Sequence, residues 1–274
     1  MAPHESDADD RADDRTDPSG TEVDKETIRR RIWDDLEESG VARFPFPPHD
    51  RIPNFEGANR AAERLAEQVE WDSARTIKAN PDAPQLPVRR RALRDGKTVY
   101  VAVPRLADER CFLELDPDEL PSEEFEDATT VSGISEYGTP RSPDEVASID
   151  LIVSGSVAVR ADPRFGNETN GASRGTRDGA RIGKGEGYSD LEFALLREFD
   201  RVDDETPVAT TVHERQLVDD AIAVGDHDVS IDLVATPDRV LRPAGASKPT
   251  GIDWELLDEK RCEEIPALKR LRER

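Results

Sequence analysis

A glycine-rich stretch over residues 181–190 carries the strongest chemical signal in the sequence. It consists of Arg181, Ile182, Gly183, Lys184, Gly185, Glu186, Gly187, Tyr188, Ser189 and Asp190. Glycines at alternate positions allow backbone N–H groups to approach a ligand closely, and one lysine stands between two of them. A run typical of a helix follows, and helix N-termini attract anions. The stretch indicates a phosphate-binding loop. A structural glycine turn is the alternative, because the spacing is neither G-x-x-x-x-G-K-[ST] nor G-x-G-x-x-G.

Two aspartates are candidates for a metal site beside this loop. Asp190 stands at the start of the following helix, where it can either cap backbone N–H groups or hold Mg²⁺ against a nucleotide. Asp232 lies inside an apolar strand predicted over 227–237. An unpaired carboxylate is costly in such a strand, so Asp232 needs a partner or a metal. Two carboxylates and a lysine-bearing loop are the parts that hold magnesium and polyphosphate.

A second pair of cations lies near the start of the chain, where Lys25 and Arg29 are one helical turn apart. The helix that carries them is predicted to begin after a capping Asp24 and to stop at Gly40. Its apolar residues follow helical spacing and are Ile28, Ile32, Trp33 and Leu36. Solvated surface cations are the alternative interpretation of Lys25 and Arg29.

The elements that would position these residues alternate between strand and helix. The predicted strands cover 75–80, 98–104, 149–159, 207–213 and 227–237, and further helices are predicted over 57–69 and 87–94. Such alternation favours an α/β fold with a mainly parallel sheet. Segment 43–55 holds four prolines and three phenylalanines, which predicts an irregular loop whose aromatic rings are covered. Residues 116–148 are rich in acidic residues and are predicted to form mainly turns.

Composition restricts the environment and the partners of the protein. The 274 residues include 61 acidic and 38 basic ones, which gives a formal charge of −23. Such self-repulsion is screened at high salt, so we expect a halophilic protein. Without a dense Lys/Arg run, nucleic acid and anionic membranes are not expected partners. No apolar stretch approaches membrane-spanning length, and the acidic N-terminus predicts no export signal. With two widely separated cysteines, Cys111 and Cys262, a reducing cytoplasm is the expected location.

The chain is predicted to form one domain with flanking polar segments. Residues 1–22 are rich in aspartate and poor in bulky apolar side chains, which predicts a disordered acidic tail. The domain covers 23–254, with a mobile insertion at 162–180 directly before the glycine-rich loop. Residues 255–274 are predicted to be a charged, helix-prone C-terminal tail.

Three separated elements together resemble the ATP and magnesium elements of the 5-formyltetrahydrofolate cyclo-ligase (methenyltetrahydrofolate synthetase) family. They are the segment from Lys25 to Arg29, the stretch 181–190 and the strand with Asp232. The likeness is closer to the branch of methenyltetrahydrofolate synthase domain-containing proteins, which segments 51–58, 80–85, 155–159 and 227–228 also resemble. It extends over roughly residues 24–254.

The resemblance implies a three-layer αβα fold of the NagB/RpiA/CoA-transferase-like type. It also implies ATP- and Mg²⁺-dependent conversion of 5-formyltetrahydrofolate, or a related reduced pterin, to the 5,10-methenyl product with release of ADP and phosphate. By the same resemblance, Lys25 and Arg29 hold ATP phosphates, and residues 181–189 wrap the nucleotide and the formyl group. Lys184 and Tyr188 are then the catalytic residues, and Asp190 and Asp232 serve magnesium.

The alternative is a regulatory protein of the same fold that binds nucleotide or folate with little or no turnover. Ser189 stands where the family usually has a second aromatic residue. Segment 80–87 replaces the family's Glu-Val-x-Thr segment, whose glutamate contacts the folate. Both departures favour the regulatory interpretation.

Overall fold

The computed structural model describes residues 23–161, 179–244 and 247–273. The acidic tail predicted over 1–22 and most of the insertion predicted over 162–180 lie outside the described residues.

The chain alternates between helices and short strands. The helices are α1 (Lys25–Glu38), α2 (Ala58–Ala66), α3 (Val69–Ser73), α4 (Leu86–Arg94), α5 (Phe125–Ala128), α6 (Val131–Tyr137), α7 (Tyr188–Glu198), α8 (Glu259–Glu264) and α9 (Pro266–Arg272). The strands are β1 (Ala42–Arg43), β2 (Asn54–Phe55), β3 (Thr76–Ala79), β4 (Thr98–Ala102), β5 (Phe112–Leu115), β6 (Thr139–Arg141), β7 (Leu151–Val153), β8 (Ala158–Arg160), β9 (Arg181–Ile182), β10 (Val208–Thr211), β11 (Leu217–Val218), β12 (Leu233–Ala235) and β13 (Val240–Leu241).

An eight-stranded sheet forms the centre of the molecule, in the order β13-β12-β10-β7-β3-β4-β5-β6. Its five central strands, from β12 to β4, are mutually parallel. Strands β13, β5 and β6 pair antiparallel at the edges. The prediction of a mainly parallel sheet is therefore confirmed.

Helices cover both faces of this sheet. Helix α2 contacts β10 and β12, and α4 contacts β3 and β4. The connection through α4 leads from β3 to β4, whereas the connection through α7 leads from β7 to β10, in the opposite direction across the sheet. Because such connections are right-handed, α4 and α7 lie on opposite faces. The architecture is the expected three-layer αβα sandwich.

A smaller three-stranded sheet, β11-β8-β9, packs with α1 in a second hydrophobic cluster. The cluster combines the apolar face of α1 with apolar residues of the small sheet and its flanking segments. Its members include Ile28, Ile32, Trp33, Leu36, Val157, Ala158, Ile182, Val218 and Ile222. The single strand predicted over 149–159 is therefore wrong in extent, since β7 ends at Val153 and β8 begins in the other sheet at Ala158.

Local predictions hold best where the sequence pattern is strongest. Helix α1 begins where expected, and the Asp24 side chain accepts a hydrogen bond from the Thr27 N–H at 3.2 Å. In the irregular loop, Phe55 is buried, but Phe44 and Phe46 are 78% and 58% exposed, so the expected cover is absent for these two rings. The strand predicted over 227–237 shortens to Leu233–Ala235.

The segment predicted as a charged C-terminal tail is helical and lies against the domain. Helices α8 and α9 place Ile265 and Leu268, both fully buried, in the main hydrophobic core. Across the described residues, every helix is too short or too polar to cross a membrane.

Candidate functional site

A cavity of about 490 Å³ lies at the carboxyl ends of β3 and β7. The direction of the connections reverses between these two strands, and ligands of open α/β sheets bind at such switch points. Asn80 and Asp82, which follow β3, and Gly155, which follows β7, line the cavity. The glycine-rich loop and the first turns of α1 complete its wall.

The cavity brings together all the residues predicted to bind nucleotide. They are Lys25, Arg29, Arg181, Ile182, Gly183, Lys184, Gly185, Glu186, Gly187, Tyr188 and Ser189. Asp190, one of the two predicted magnesium ligands, lines it as well. The pairing of the α1 cations with the loop therefore exists in the folded chain, across more than 150 residues of sequence.

The loop needs glycine at two positions for backbone reasons. Gly185 has φ +111° and Gly187 has φ +69°, values that other residues adopt only with strain. Gly187 directly precedes α7 and forms its N-cap. Both glycines line the cavity, so the glycine turn and the predicted ligand-binding loop are the same structure.

Both cations of α1 are tied to this part of the chain. The Arg29 Nε donates to the Gly183 carbonyl oxygen at 2.8 Å. The Lys25 Nζ lies 3.0 Å from the carboxylate of Asp228, which also lines the cavity. These contacts place two positive charges at the cavity wall, and the binding of ATP phosphates by Lys25 and Arg29 stays a prediction.

Asp190 is held by a buried arginine. Arg181 donates two hydrogen bonds to its carboxylate, at 2.7 and 2.8 Å, and a third to the Gly155 carbonyl oxygen at 3.0 Å. Burial lowers the pKa of Arg181, but the charge of Asp190 and its hydrogen bonds outweigh this, and the pKa is raised. Asp190 also accepts from the Val229 N–H at 3.1 Å, which places it next to Asp228 along the cavity wall.

The structure corrects the placement of the second predicted magnesium ligand. Asp232 lies just before β12 and outside the cavity. Its carboxylate accepts a hydrogen bond from the Val208 N–H at 2.8 Å and pairs with the buried Lys248. The Asp232 side chain is 34% exposed, and its charged partner is a lysine. Asp228 occupies the cavity instead. The segment 227–228, which contains Asp228, is one of those that resemble the family, but no motif in the sequence indicates a role for the Asp228 carboxylate.

The described residues contain no cluster of three or more His, Cys, Asp or Glu side chains that could hold a metal ion by themselves. Mg²⁺ that is bound with a nucleotide needs only one or two carboxylates, because phosphates and water supply the remaining ligands. Asp190 and Asp228 meet this requirement, because both line the cavity. They are close to each other, since Val229, the residue after Asp228, donates its N–H to the Asp190 carboxylate. The donor set fits a magnesium ion that arrives with phosphate.

Ionisable residues that the sequence pattern does not reveal form a network beside the cavity, which Asn80, Asp82 and Glu192 line. Lys78 of β3 is buried and pairs with Glu192 of α7, and its Nζ also donates to the Asn80 Oδ1 at 3.1 Å. Asp82 lies nearby, and burial raises the pKa of its carboxyl, although the Lys184 charge acts in the opposite direction. No sequence motif signals this network, because β3 and α7 are more than 100 residues apart.

The two predicted catalytic residues have further contacts within the loop region. The Lys184 Nζ lies 2.7 Å from the Glu186 carboxylate, and both side chains are about 40% exposed. The guanidinium of Arg261, on α8, stacks 4.7 Å from the centre of the Tyr188 ring. The Ser189 hydroxyl lies 3.1 Å from the Ser154 hydroxyl. All three loop side chains are thus placed by polar or cation–π contacts.

Comparison with protein families gives a match over most of the chain. The model of the 5-formyltetrahydrofolate cyclo-ligase family covers residues 21–167 and 173–237. Among curated proteins, the methenyltetrahydrofolate synthase domain-containing protein of Mus musculus is 41% identical over 92% of this chain and 64% of its own length. The corresponding protein of Bos taurus is 39% identical, over 91% of this chain and 62% of its own length. The chain thus spans less than two thirds of these relatives.

Two solved structures match this chain at low sequence identity and with TM-scores below 0.5. The NMR structure of Aquifex aeolicus 5,10-methenyltetrahydrofolate synthetase is 14% identical, with a TM-score of 0.47, and the alignment covers 82% of this chain and 95% of that chain. The 5,10-methenyltetrahydrofolate synthetase of Mycoplasma pneumoniae is 13% identical, with a TM-score of 0.42, and 78% and 98% of the two chains are covered.

Proposed function

The chain belongs to the 5-formyltetrahydrofolate cyclo-ligase family, and we propose that it converts 5-formyltetrahydrofolate to 5,10-methenyltetrahydrofolate with ATP and Mg²⁺. ADP and phosphate are the other products. The net charge of −23 supports a salt-rich cytoplasm as its location. Family membership supports the reaction class, and the cavity supports the use of a nucleotide.

The observation that carries the proposal is the convergence of cations and loop glycines on one cavity. Lys25, Arg29 and Lys184 line it together with the loop backbone at the N-terminus of α7. Cations and backbone N–H groups at a helix N-terminus are the groups that bind polyphosphate. A volume of about 490 Å³ lies in the range of small-molecule sites.

The proposed reaction requires positioning and charge neutralisation more than a protein nucleophile. The formyl oxygen on N5 attacks the γ-phosphorus, and ADP leaves. N10 then attacks the activated formyl carbon and loses its proton, and the carbon–oxygen bond breaks as phosphate departs. Lys184 is proposed to neutralise the charge of the transferring phosphoryl group, and Lys25 and Arg29 to hold the remaining phosphates.

Magnesium would lower the charge of the bound polyphosphate. We propose that Asp190 and Asp228 hold it, because both carboxylates face the cavity and Asp232 does not. Arg181, which also lines the cavity, holds the carboxylate of Asp190 with two hydrogen bonds. Tyr188 lies at the start of α7 on the cavity wall, where its ring can position the formyl group or the pterin.

The alternative proposal is a nucleotide- or folate-binding protein of the same fold with little turnover. Ser189 favours it, because its hydroxyl is paired with Ser154 and a second aromatic ring is absent from this position. The carboxyl that follows β3 is Asp82, and burial raises its pKa, so a charged acceptor costs more here than at an exposed carboxylate.

A direct assay separates these proposals. Purified protein in high salt is mixed with 5-formyltetrahydrofolate and Mg-ATP, and the absorbance of methenyltetrahydrofolate is followed. Product formation supports the enzyme. ATP binding without product supports the binding protein, and absence of both rejects the two proposals together.

Lys184→Ala tests whether the loop forms the nucleotide site. Loss of a charge-assisted contact worth about 1.5–3 kcal/mol should weaken ATP binding by about 10- to 100-fold. Lys260→Ala is the matched control, because Lys260 is 80% exposed and outside the cavity. Equal ATP affinity in both variants would remove the loop from the site.

A further inference from the structure

Arg261 contacts the glycine-rich loop, although it lies beyond the residues that the family model matches. The family model ends at residue 237, whereas Arg261 belongs to α8 (Glu259–Glu264). Its Nη2 donates a hydrogen bond of 2.6 Å to the Glu186 carbonyl oxygen. The same guanidinium stacks 4.7 Å from the centre of the Tyr188 ring. One side chain therefore holds two points of the loop at once.

The hydrogen bond determines how one loop peptide is oriented. Arg261 lines a second, smaller cavity of about 280 Å³ on the other side of the loop. In a trans peptide the carbonyl and the following N–H point in opposite directions. Because the Glu186 carbonyl points to Arg261, the Gly187 N–H points away from Arg261. Both residues also line the first cavity.

This N–H is available to a ligand. It has no backbone acceptor among the residues that the structure describes, and it lies at the N-cap position of α7, an eleven-residue helix. An N–H in this position is a donor for anionic oxygen. The direction in which it points depends on the contact that Arg261 makes with the preceding carbonyl.

We propose that Arg261 is a positioning residue for nucleotide binding, which orients the Glu186–Gly187 peptide toward phosphate and holds the Tyr188 ring in place. The inference rests on the proposed use of ATP. An arginine suits the role, because its planar guanidinium can stack on a ring and donate in its own plane at the same time. A lysine can supply only one of these contacts with good geometry.

Three variants test the proposal in high salt. Arg261→Ala removes both contacts, and Arg261→Lys keeps the charge without the planar stack. Lys260→Ala removes one positive charge from the neighbouring position of α8, where the side chain is 80% exposed. Calorimetric titration with Mg-ATP should show affinity about 10-fold weaker for Arg261→Ala, an intermediate loss for Arg261→Lys and less than 2-fold change for Lys260→Ala.

Kinetics distinguish positioning from general damage. In the assay of the proposed reaction, Arg261→Ala should raise KM for ATP about 10-fold, whereas Lys260→Ala should leave it unchanged. The melting temperature of Arg261→Lys should match that of the wild type. ATP affinity that is equal in Arg261→Ala and the wild type overturns the proposal.

A ligand-free measurement separates the failure of this inference from failure of the proposed function. Lys184 is a trypsin site in the middle of the loop, and cleavage there can be followed by mass spectrometry of the fragments. Release of the loop in Arg261→Ala should accelerate this cleavage several-fold, and Lys260→Ala should not. Unchanged cleavage overturns the role of Arg261 whatever the ligand. Faster cleavage in a protein that does not bind ATP rejects the proposed nucleotide site and, with it, the role of Arg261 in phosphate binding.

Discussion

Replacing Lys78 with methionine should destabilise the protein strongly, although the substitution keeps the length of the side chain. Lys78 pairs with Glu192 beside the cavity, and the two side chains are only 2% and 7% exposed. The Lys78 ammonium also donates to the Asn80 Oδ1 at 3.1 Å. Without it, the carboxylate of Glu192 remains buried beside an amide oxygen that has lost its donor.

Removal of one partner from a buried ion pair costs about 3–5 kcal/mol, whereas replacing both partners by apolar residues of similar volume is neutral or stabilising. Lys78→Met should therefore cost about 3–5 kcal/mol in the free energy of unfolding. With an m-value of about 3 kcal/mol/M in urea, the unfolding midpoint falls by about 1–1.7 M. The double variant Lys78→Met/Glu192→Met should recover most of this loss.

Urea unfolding followed by circular dichroism measures these differences at two salt concentrations. A buried pair is screened much less by salt than an exposed one, so the cost of Lys78→Met should be similar at both concentrations. Lys260→Met is the matched control, because Lys260 and Glu264 form an exposed pair at 3.7 Å. Its effect should stay below about 1 kcal/mol.

Two results would refute the reasoning. A cost below about 1 kcal/mol for Lys78→Met would mean that the Glu192 carboxylate is solvated or protonated without penalty. A double variant as unstable as Lys78→Met alone would mean that packing, and not the unpaired charge, determines the loss.

Three other predictions concern the metal, the pH and the salt. Asp228→Asn should raise the Mg²⁺ concentration needed for half-maximal activity. Asp232→Asn removes the ion pair with Lys248, so it should lower the melting temperature and leave the magnesium requirement unchanged. Because burial raises the pKa of Asp82 above its usual 3.8, the folded protein keeps this proton to higher pH than the unfolded chain. The free energy of unfolding should therefore fall relative to Asp82→Asn as pH rises above 3.8, and a constant difference between pH 4 and 7 in urea titrations would contradict this. With a charge of −23, the melting temperature should rise with salt, and equal or greater stability in low salt would refute halophilic adaptation.

The sequence predicts elements well where the pattern is local. Helix α1 and strands β3, β4 and β10 lie within the predicted segments, because helical spacing and short apolar runs reflect burial of the nearest residues. The glycine-rich loop was found for the same reason, since a ligand-binding turn has its chemistry within ten residues.

Long-range pairing explains the errors. The segment 149–159 contains an almost continuous apolar run, and only its partners show that β7 and β8 belong to different sheets. Strand β5 was not predicted, although it pairs antiparallel with β4. The apolar strand predicted over 227–237 indicated that Asp232, inside it, needs a partner or a metal, but the choice between Lys248 and a metal depends on tertiary contact.

The same limit applies to the cavity. Lys78 and Glu192 are an ordinary strand lysine and helix glutamate in the sequence, and only folding brings them together. Arg261 lies in the segment predicted as a charged, helix-prone C-terminal tail. Its contact with Glu186 spans 75 residues, and no local pattern records it.

The glycine-rich loop connects two hydrophobic clusters as well as lining the cavity. Ile182, just before it, belongs to the hydrophobic cluster of α1 and the small sheet, whereas Leu191 and Phe193, just after it, belong to the main core. The loop is therefore a link between two separately packed bodies. Without a ligand, the amides of the small body can exchange by opening of that body alone. A ligand that binds both ends of the loop adds its binding free energy to the free energy of this opening. The amides of residues far from the cavity, such as Leu36, should then exchange their hydrogens more slowly, although the ligand does not contact them.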